Sequence, residues 1–128
     1  MSKMHSSKAM IVDDSRAIRM ILANTLQELG FEILHAANGK EALDQARQHP
    51  DVALFLVDWN MPEMNGLEFV QQVRQDARFA QAPIMMVTTE TEISQVLKAL
   101  EAGANEYVMK PFTAEIIVEK LRMVGAVE

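Results

Sequence analysis

The chain has 128 residues, 49% of them hydrophobic, a net charge of -6 and no cysteine. That length fills one core but not two ordinary domains, and the lack of cysteine excludes disulfides and thiolate metal sites, in keeping with a reducing compartment. The acidic balance excludes the basic footprint of non-specific nucleic-acid binding, and no apolar run approaches membrane-spanning length. The segment Ala9 to Val12 is cut short by two aspartates and cannot act as a signal sequence, so a cytoplasmic, soluble protein without a nucleic-acid or membrane partner is expected.

After a flexible polar tail, residues 1–8, "AMIV" reads as a buried strand that ends in Asp13 and Asp14. Ile18, Ile21, Leu22, Leu26 and Leu29 then fall at helical spacing, and Gly30 supplies the stop. "FEILHAA" is a second strand, and Asn38-Gly39 turns the chain into a helix carrying Ala42, Leu43 and Ala46. "VALFLVD" is the third strand, and a helix with Leu67, Val70 and Val73 opens just after Gly66. "PIMMVTT" is the fourth, followed by a helix with Ile93, Val96, Leu97 and Leu100 that Gly103 closes. "EYVMK" is the fifth, and beyond Pro111 a last helix carries Ile117, Leu121 and Val124. Five successive strand-helix units over residues 9–128 imply one α/β domain, a doubly wound parallel sheet covered by helices on both faces. The ten methionines read as adaptable core filler, chiefly Met10, Met20, Met85 and Met86.

In a parallel sheet the strand ends share one edge. Asp13 and Asp14 end the first strand, Asp58 the third, Thr88 and Thr89 the fourth and Lys110 the fifth, so all meet there. A single Asp after a strand is more often a cap or turn residue, but chance does not bring this set to four strand ends. Three carboxylates that close repel one another, so at least one has a raised pKa unless cations intervene. Lys110 is one such cation, and a divalent ion on hard oxygen ligands is the other, Mg2+ suiting a site of few carboxylates. No glycine-rich phosphate loop follows the first strand, which argues against ATP or a dinucleotide. There is no Ser/His/Asp or Cys/His set: His5 falls in the tail, and His35 and His49 fall on a strand face and a helix end. What remains is a carboxylate nucleophile that receives a phosphoryl group, with Asp58 as nucleophile and the acidic pair as metal ligands.

"VDDS" at 12–15, "VDWNMPEMNG" at 57–66, "TTE" at 88–90 and "YVMKPF" at 107–112 resemble the receiver domain of two-component response regulators. Because no output domain follows the fifth helix, the outline is closest to the stand-alone chemotaxis type (CheY-like). The resemblance implies a flavodoxin-like five-stranded sheet of order 2-1-3-4-5 with five helices. It makes Asp58 the phosphoacceptor, Asp13 and Asp14 the acidic pair around Mg2+, Thr88 the hydroxyl that meets the phosphoryl group and Lys110 its counter-charge. Asn60 lends its backbone carbonyl to the metal, and Tyr107 reports the switch. Thr89 stands where the family often has a smaller residue, and the Lys110-Pro111 bond is of the kind that is commonly cis in the family.

The implied role is a switch rather than an enzyme, with self-catalysed phosphorylation and autodephosphorylation. Asn60 and Glu90, two residues beyond Asp58 and Thr88, are placed to orient an attacking water and so tune phosphate loss. The implied partners are a histidine kinase as phosphodonor, an output protein such as the flagellar motor switch, and a separate phosphatase; the protein itself is expected to be a monomer. Chemotaxis is favoured, with a phosphorelay or another motility pathway as the alternative. A metal-dependent aspartyl-phosphate hydrolase fits less well, because its second acid falls on Asn60, an amide that cannot protonate a leaving alcohol. A flavin phosphate would face Asp13, Asp14 and Asp58 and is disfavoured.

Overall fold

Apolar side chains on both sides of short runs demand a sheet covered on both faces. The computed structural model describes residues 7–89 and 93–127; His5, Glu90 and the side chain of Ile93 fall outside what it describes. The strands are β1 (Lys8–Val12), β2 (Glu32–Ala36), β3 (Val52–Val57), β4 (Ile84–Thr88) and β5 (Glu106–Met109). They alternate with helices α1 (Arg16–Glu28), α2 (Gly39–Gln48), α3 (Gly66–Val73), α4 (Ile93–Ala102) and α5 (Ala114–Met123). All strand pairs are parallel, in the order β2-β1-β3-β4-β5 that the resemblance implied. β1 begins at Lys8, one residue into the expected tail, where Lys8 pairs with Glu32 and its ammonium meets Asp51 at 3.0 Å.

The two-residue period of each strand divides the core. Met10, Val12, Phe55, Val57, Ile84 and Met86 pack with the buried side chains of α2, α3 and α4. Their neighbours Ala9, Ile11, Leu54, Leu56, Met85 and Val87 pack on the other face with α1 and α5. Helix starts are fixed by side-chain caps: Ser15, Asn38, Asn65 and Thr113 each accept a backbone N–H three residues on. A 3-10 turn, Ala77–Phe79, departs from the expected pattern; the Asp76 carboxylate accepts the Arg78 N–H at 3.0 Å and starts it. The turn delivers Phe79 into the core, its ring centroid 5.4 Å from that of Phe55, which lies 5.6 Å from that of Phe69.

The helical stripes are wider in the sequence than in the core. Met20 and Ile21 on α1 are 55% and 53% exposed, Leu29 36%, and Leu97 and Leu100 on α4 54% and 40%. Leu22, Ala23 and Leu26 already fill the sheet-facing arc of α1, and a residue one step away is turned by about 100°. Of the four methionines expected inside, Met10, Met85 and Met86 are fully buried and Met20 is not. Among the described residues no helix is long and apolar enough to cross a membrane.

At the edge of the sheet away from the aspartates, Arg74, the residue that closes α3, ties three segments together. Its guanidinium donates to the Gly103 carbonyl from Nε (3.1 Å) and Nη2 (2.8 Å), to the Phe79 carbonyl from Nη1 (2.5 Å), and to Asn105 Oδ1 from Nη2 (2.9 Å). Asn105 Oδ1 in turn accepts the Ile84 N–H at 2.8 Å, so the start of β4 depends on the same knot. Gly103 has φ +121, and a Cβ there would meet the Arg74 side chain at 2.8 Å. Arg74→Ala is therefore expected to lower unfolding free energy by roughly 2–3 kcal/mol, the scale of lost hydrogen bonds to a charged donor. Urea unfolding measures this, and Arg74→Lys should recover only part, because an ammonium lacks the planar fork.

Candidate functional site

Asp13, Asp58 and Lys110 are each the first residue beyond a strand, Asp14 is the second and Thr88 is the last within one, so the parallel sheet delivers them to one edge. The Asp13 N–H donates to the Ala36 carbonyl at 3.0 Å and the Asp58 N–H to the Val12 carbonyl at 2.9 Å, which extends the ladder by one residue past β1 and β3. Thr88 closes β4 fully buried, and the Lys110 N–H donates to its carbonyl at 2.9 Å. Thr89, the first residue beyond β4, is exposed. The Lys110-Pro111 bond is cis, as the resemblance implied.

The side chains converge. Lys110 Nζ lies 2.7 Å from Asp13 Oδ2 and 3.4 Å from Asp58 Oδ2, and the Thr88 hydroxyl hydrogen-bonds Asp58. The other Asp13 oxygen, Oδ1, accepts the Ser15 N–H at 2.8 Å. Asp13 and Asp58 are 1% and 6% exposed, while Asp14 is open to solvent. One oxygen from each of Asp13, Asp14 and Asp58 lies within 4.8 Å of the other two, a spacing that a single hard cation can span. Asp58 is held above the ordinary carboxylate pKa of 3.8, first by burial and to a lesser degree by the charge of Asp13, against the Thr88 hydrogen bond and Lys110. The raised carboxyl expected from repulsion is present, but burial is its larger cause.

The loop after Asp58 is closed tightly around it. The Gly66 N–H donates to the Trp59 carbonyl at 2.9 Å, and Asn65 and Glu68 exchange hydrogen bonds as a capping box at the start of α3. A Cβ on Gly66 would lie 2.2 Å from the Asp58 carbonyl oxygen, so only glycine admits this approach. Glu63, in the same loop, has φ 66. Trp59 is 7% exposed, Asn60 is exposed, and Tyr107 is half-buried against the α2–α4 side of the core. Two contributors went unsuspected in the sequence: Gly66, whose role is a contact with Asp58, and Arg19, which donates from Nη1 to the Asp13 carbonyl at 2.6 Å. His35 and His49 lie outside the cluster, on β2 and at the end of α2.

A doubly wound sheet that gathers three carboxylates, a buried hydroxyl and a lysine at its carboxyl edge defines a phosphosignalling class of α/β domain. The chain belongs to the response regulator receiver domain family, whose model matches residues 9–122, and it is a two-component signalling switch. It is 48% identical over 118 residues to the chemotaxis protein CheY1 of Helicobacter pylori, covering 91% of this chain and 95% of that one. The solved chemotaxis response regulator CheY4 of Vibrio cholerae matches with a TM-score of 0.87 at 38% identity, over 94% of this chain and 99% of that one. A CheX-CheY-BeF3-Mg2+ complex from Borrelia burgdorferi matches with a TM-score of 0.87 at 25% identity, over 92% and 88% of the two chains.

The raised pKa of Asp58 sets the sign of a stability change. The fold favours its neutral form, so the associated stability is fully present below pH 3.8 and is lost as pH rises through the raised value. At neutral pH, without divalent cations, Asp58→Asn should therefore melt at a higher temperature than wild type. The gap should narrow as the buffer is made more acid and wild-type Asp58 takes up its proton. Melting curves by circular dichroism check both statements.

Proposed function

We propose that this receiver accepts a phosphoryl group from a phosphohistidine of a histidine kinase onto Asp58 and controls a protein partner in chemotaxis. The observation that carries the reading is the convergence of Lys110 and the Thr88 hydroxyl on the buried Asp58 carboxylate, beside the acidic pair. The donor set fits Mg2+: three carboxylates, each with an oxygen within 4.8 Å of the others and one of them on the exposed Asp14, are hard ligands few enough to leave room for water and a phosphoryl oxygen. Asp13, Asp14 and Asp58 would hold the ion with the backbone carbonyl of Asn60. When bound, it supplies charge neutralisation for the carboxylates and the phosphoryl oxygens.

The chain's own residues do the rest. An Asp58 oxygen attacks phosphorus in line, the P–N bond of the donor breaks as the P–O bond forms, and the imidazole, which carries a proton on its other ring nitrogen in the donor, leaves as the neutral base. Lys110 stays on Asp13 and gains a second contact to a phosphoryl oxygen in place of the long one to Asp58. The Thr88 hydroxyl moves from the carboxylate to the new phosphoryl group, which vacates space that the half-buried Tyr107 ring fills. That shift reaches a surface where Leu97, Leu100, Met109 and Ile116 leave apolar area exposed on α4, β5 and α5. Phosphorylation and phosphate loss are catalysed by this site itself, with Asn60 and Glu90 orienting the attacking water. A protein phosphatase is a further partner. The chemotaxis assignment is supported by relatives whose names carry it, the flagellar motor switch being the output target; a phosphorelay is the second reading.

Asp58→Ala should take up no label from a phosphorylated kinase or a small acyl phosphate, and wild type should need millimolar Mg2+ to do so. Uptake by the variant would place the acceptor elsewhere. Thr88→Ala should still accept phosphate, yet its amide NMR shifts near Tyr107 on adding beryllofluoride and Mg2+ should be smaller than in wild type. Equal shifts would remove Thr88 from the route. Trp59, buried beside Asp58, should change fluorescence when Mg2+ is titrated in.

A further inference from the structure

Asp13 is held at four points, and one of them is a side chain from α1. Its N–H is fixed by Ala36, one carboxylate oxygen by the Ser15 N–H and the other by Lys110. The fourth is its carbonyl oxygen, which lies past the last residue of β1 and accepts a charge-assisted bond of 2.6 Å from Arg19 Nη1. The Arg19 N–H, meanwhile, opens the ladder of α1 by donating to the Ser15 carbonyl at 3.0 Å. Arg19 thus ties the first turn of the helix back to a carbonyl six residues earlier. Among the described residues the arrangement leaves Arg19 Nε buried without a hydrogen-bond partner, a costly state that the fold nevertheless keeps. Its charge is also felt across the edge of the sheet: the His35 imidazole is held below its ordinary value first by burial and then by Arg19.

The carbonyl that Arg19 grips belongs to the peptide plane joining Asp13 to Asp14. Asp14 is exposed, so the direction of its carboxylate is set chiefly by the plane that carries it. We propose that Arg19 is a positioning residue of the cation site: by locking the Asp13-Asp14 peptide it pre-aims the exposed carboxylate of Asp14 beside those of Asp13 and Asp58. This rests on the Mg2+ reading given above. Two effects of opposite sign make it testable. The positive charge of Arg19 by itself opposes a bound cation, so deleting charge alone tightens Mg2+ binding; deleting the lock weakens it.

The experiment is a Mg2+ titration of wild type, Arg19→Met and Arg19→Lys, followed by Trp59 fluorescence and by calorimetry, with thermal melts recorded without metal. Loss of an outer partner of a metal ligand is expected to weaken affinity about 10-fold in Arg19→Met, and Arg19→Lys, which keeps a charged donor, should recover part of it. Affinity unchanged or tightened in Arg19→Met, even with a lowered melting temperature, overturns the proposal and leaves Arg19 a purely structural residue. Should Arg19→Met fail to fold, Arg19→Lys decides alone: weakening at retained charge supports positioning, and wild-type affinity overturns it. Absence of Mg2+ binding by wild type would instead strike at the functional reading itself.

Discussion

The ammonium of Lys110 lies 2.7 Å from Asp13 and 3.4 Å from Asp58, with only 14% of its side chain exposed, and the rest of the site depends on it. Two buried carboxylates with a third at their side repel one another in a medium that screens poorly. A single buried cation shared between them offsets that repulsion, and removing any one member leaves an uncompensated charge inside the fold. The cluster therefore behaves as one unit. The residual negative charge that Lys110 does not neutralise is what makes the edge a place for a divalent cation.

Every other feature of the edge serves to hold that unit in register. The ladder bonds of Asp13 and Asp58 continue β1 and β3 by one residue, so the carboxylates inherit the rigidity of the central strands. Gly66 lets the loop after Asp58 close against its carbonyl, and the capping box of Asn65 and Glu68 pins the far end of that loop. Arg74 does the equivalent for the opposite edge, where α3, β4 and the end of α4 meet. A rigid frame with a strained, charge-crowded edge is a system in which a small change of charge has somewhere to act, since packed interiors shift between discrete arrangements rather than deforming smoothly.

The exposed apolar residues belong to the same picture. Met20 and Ile21 on α1, and Leu97 and Leu100 on α4, continue the helical stripe beyond the arc that the sheet covers. Outside that arc these side chains take no part in either face of the core.

The strand-helix alternation, the parallel sheet and the meeting of Asp13, Asp14, Asp58, Thr88 and Lys110 at one edge were legible in the sequence, because each rests on local periodicity plus the rule that parallel strands end together. The choice of Thr88 over Thr89 came from the family resemblance and not from the period, which says only that neighbouring residues point apart. What the chain alone left open is which particular atoms touch, whether near in sequence or far apart. That Lys110 bridges two carboxylates rather than one, that Arg19 seizes a backbone carbonyl, that Gly66 must lack a Cβ and that Arg74 knots three segments are facts of distances across the fold, over as many as 97 residues for Lys110 and Asp13. The depth of each helical stripe was likewise decided by how much of each helix the sheet covers, a property of packing and not of pattern. Local period sets which side chains share a face; only the folded packing sets which of them touch, and the chemistry of this site lies in those contacts.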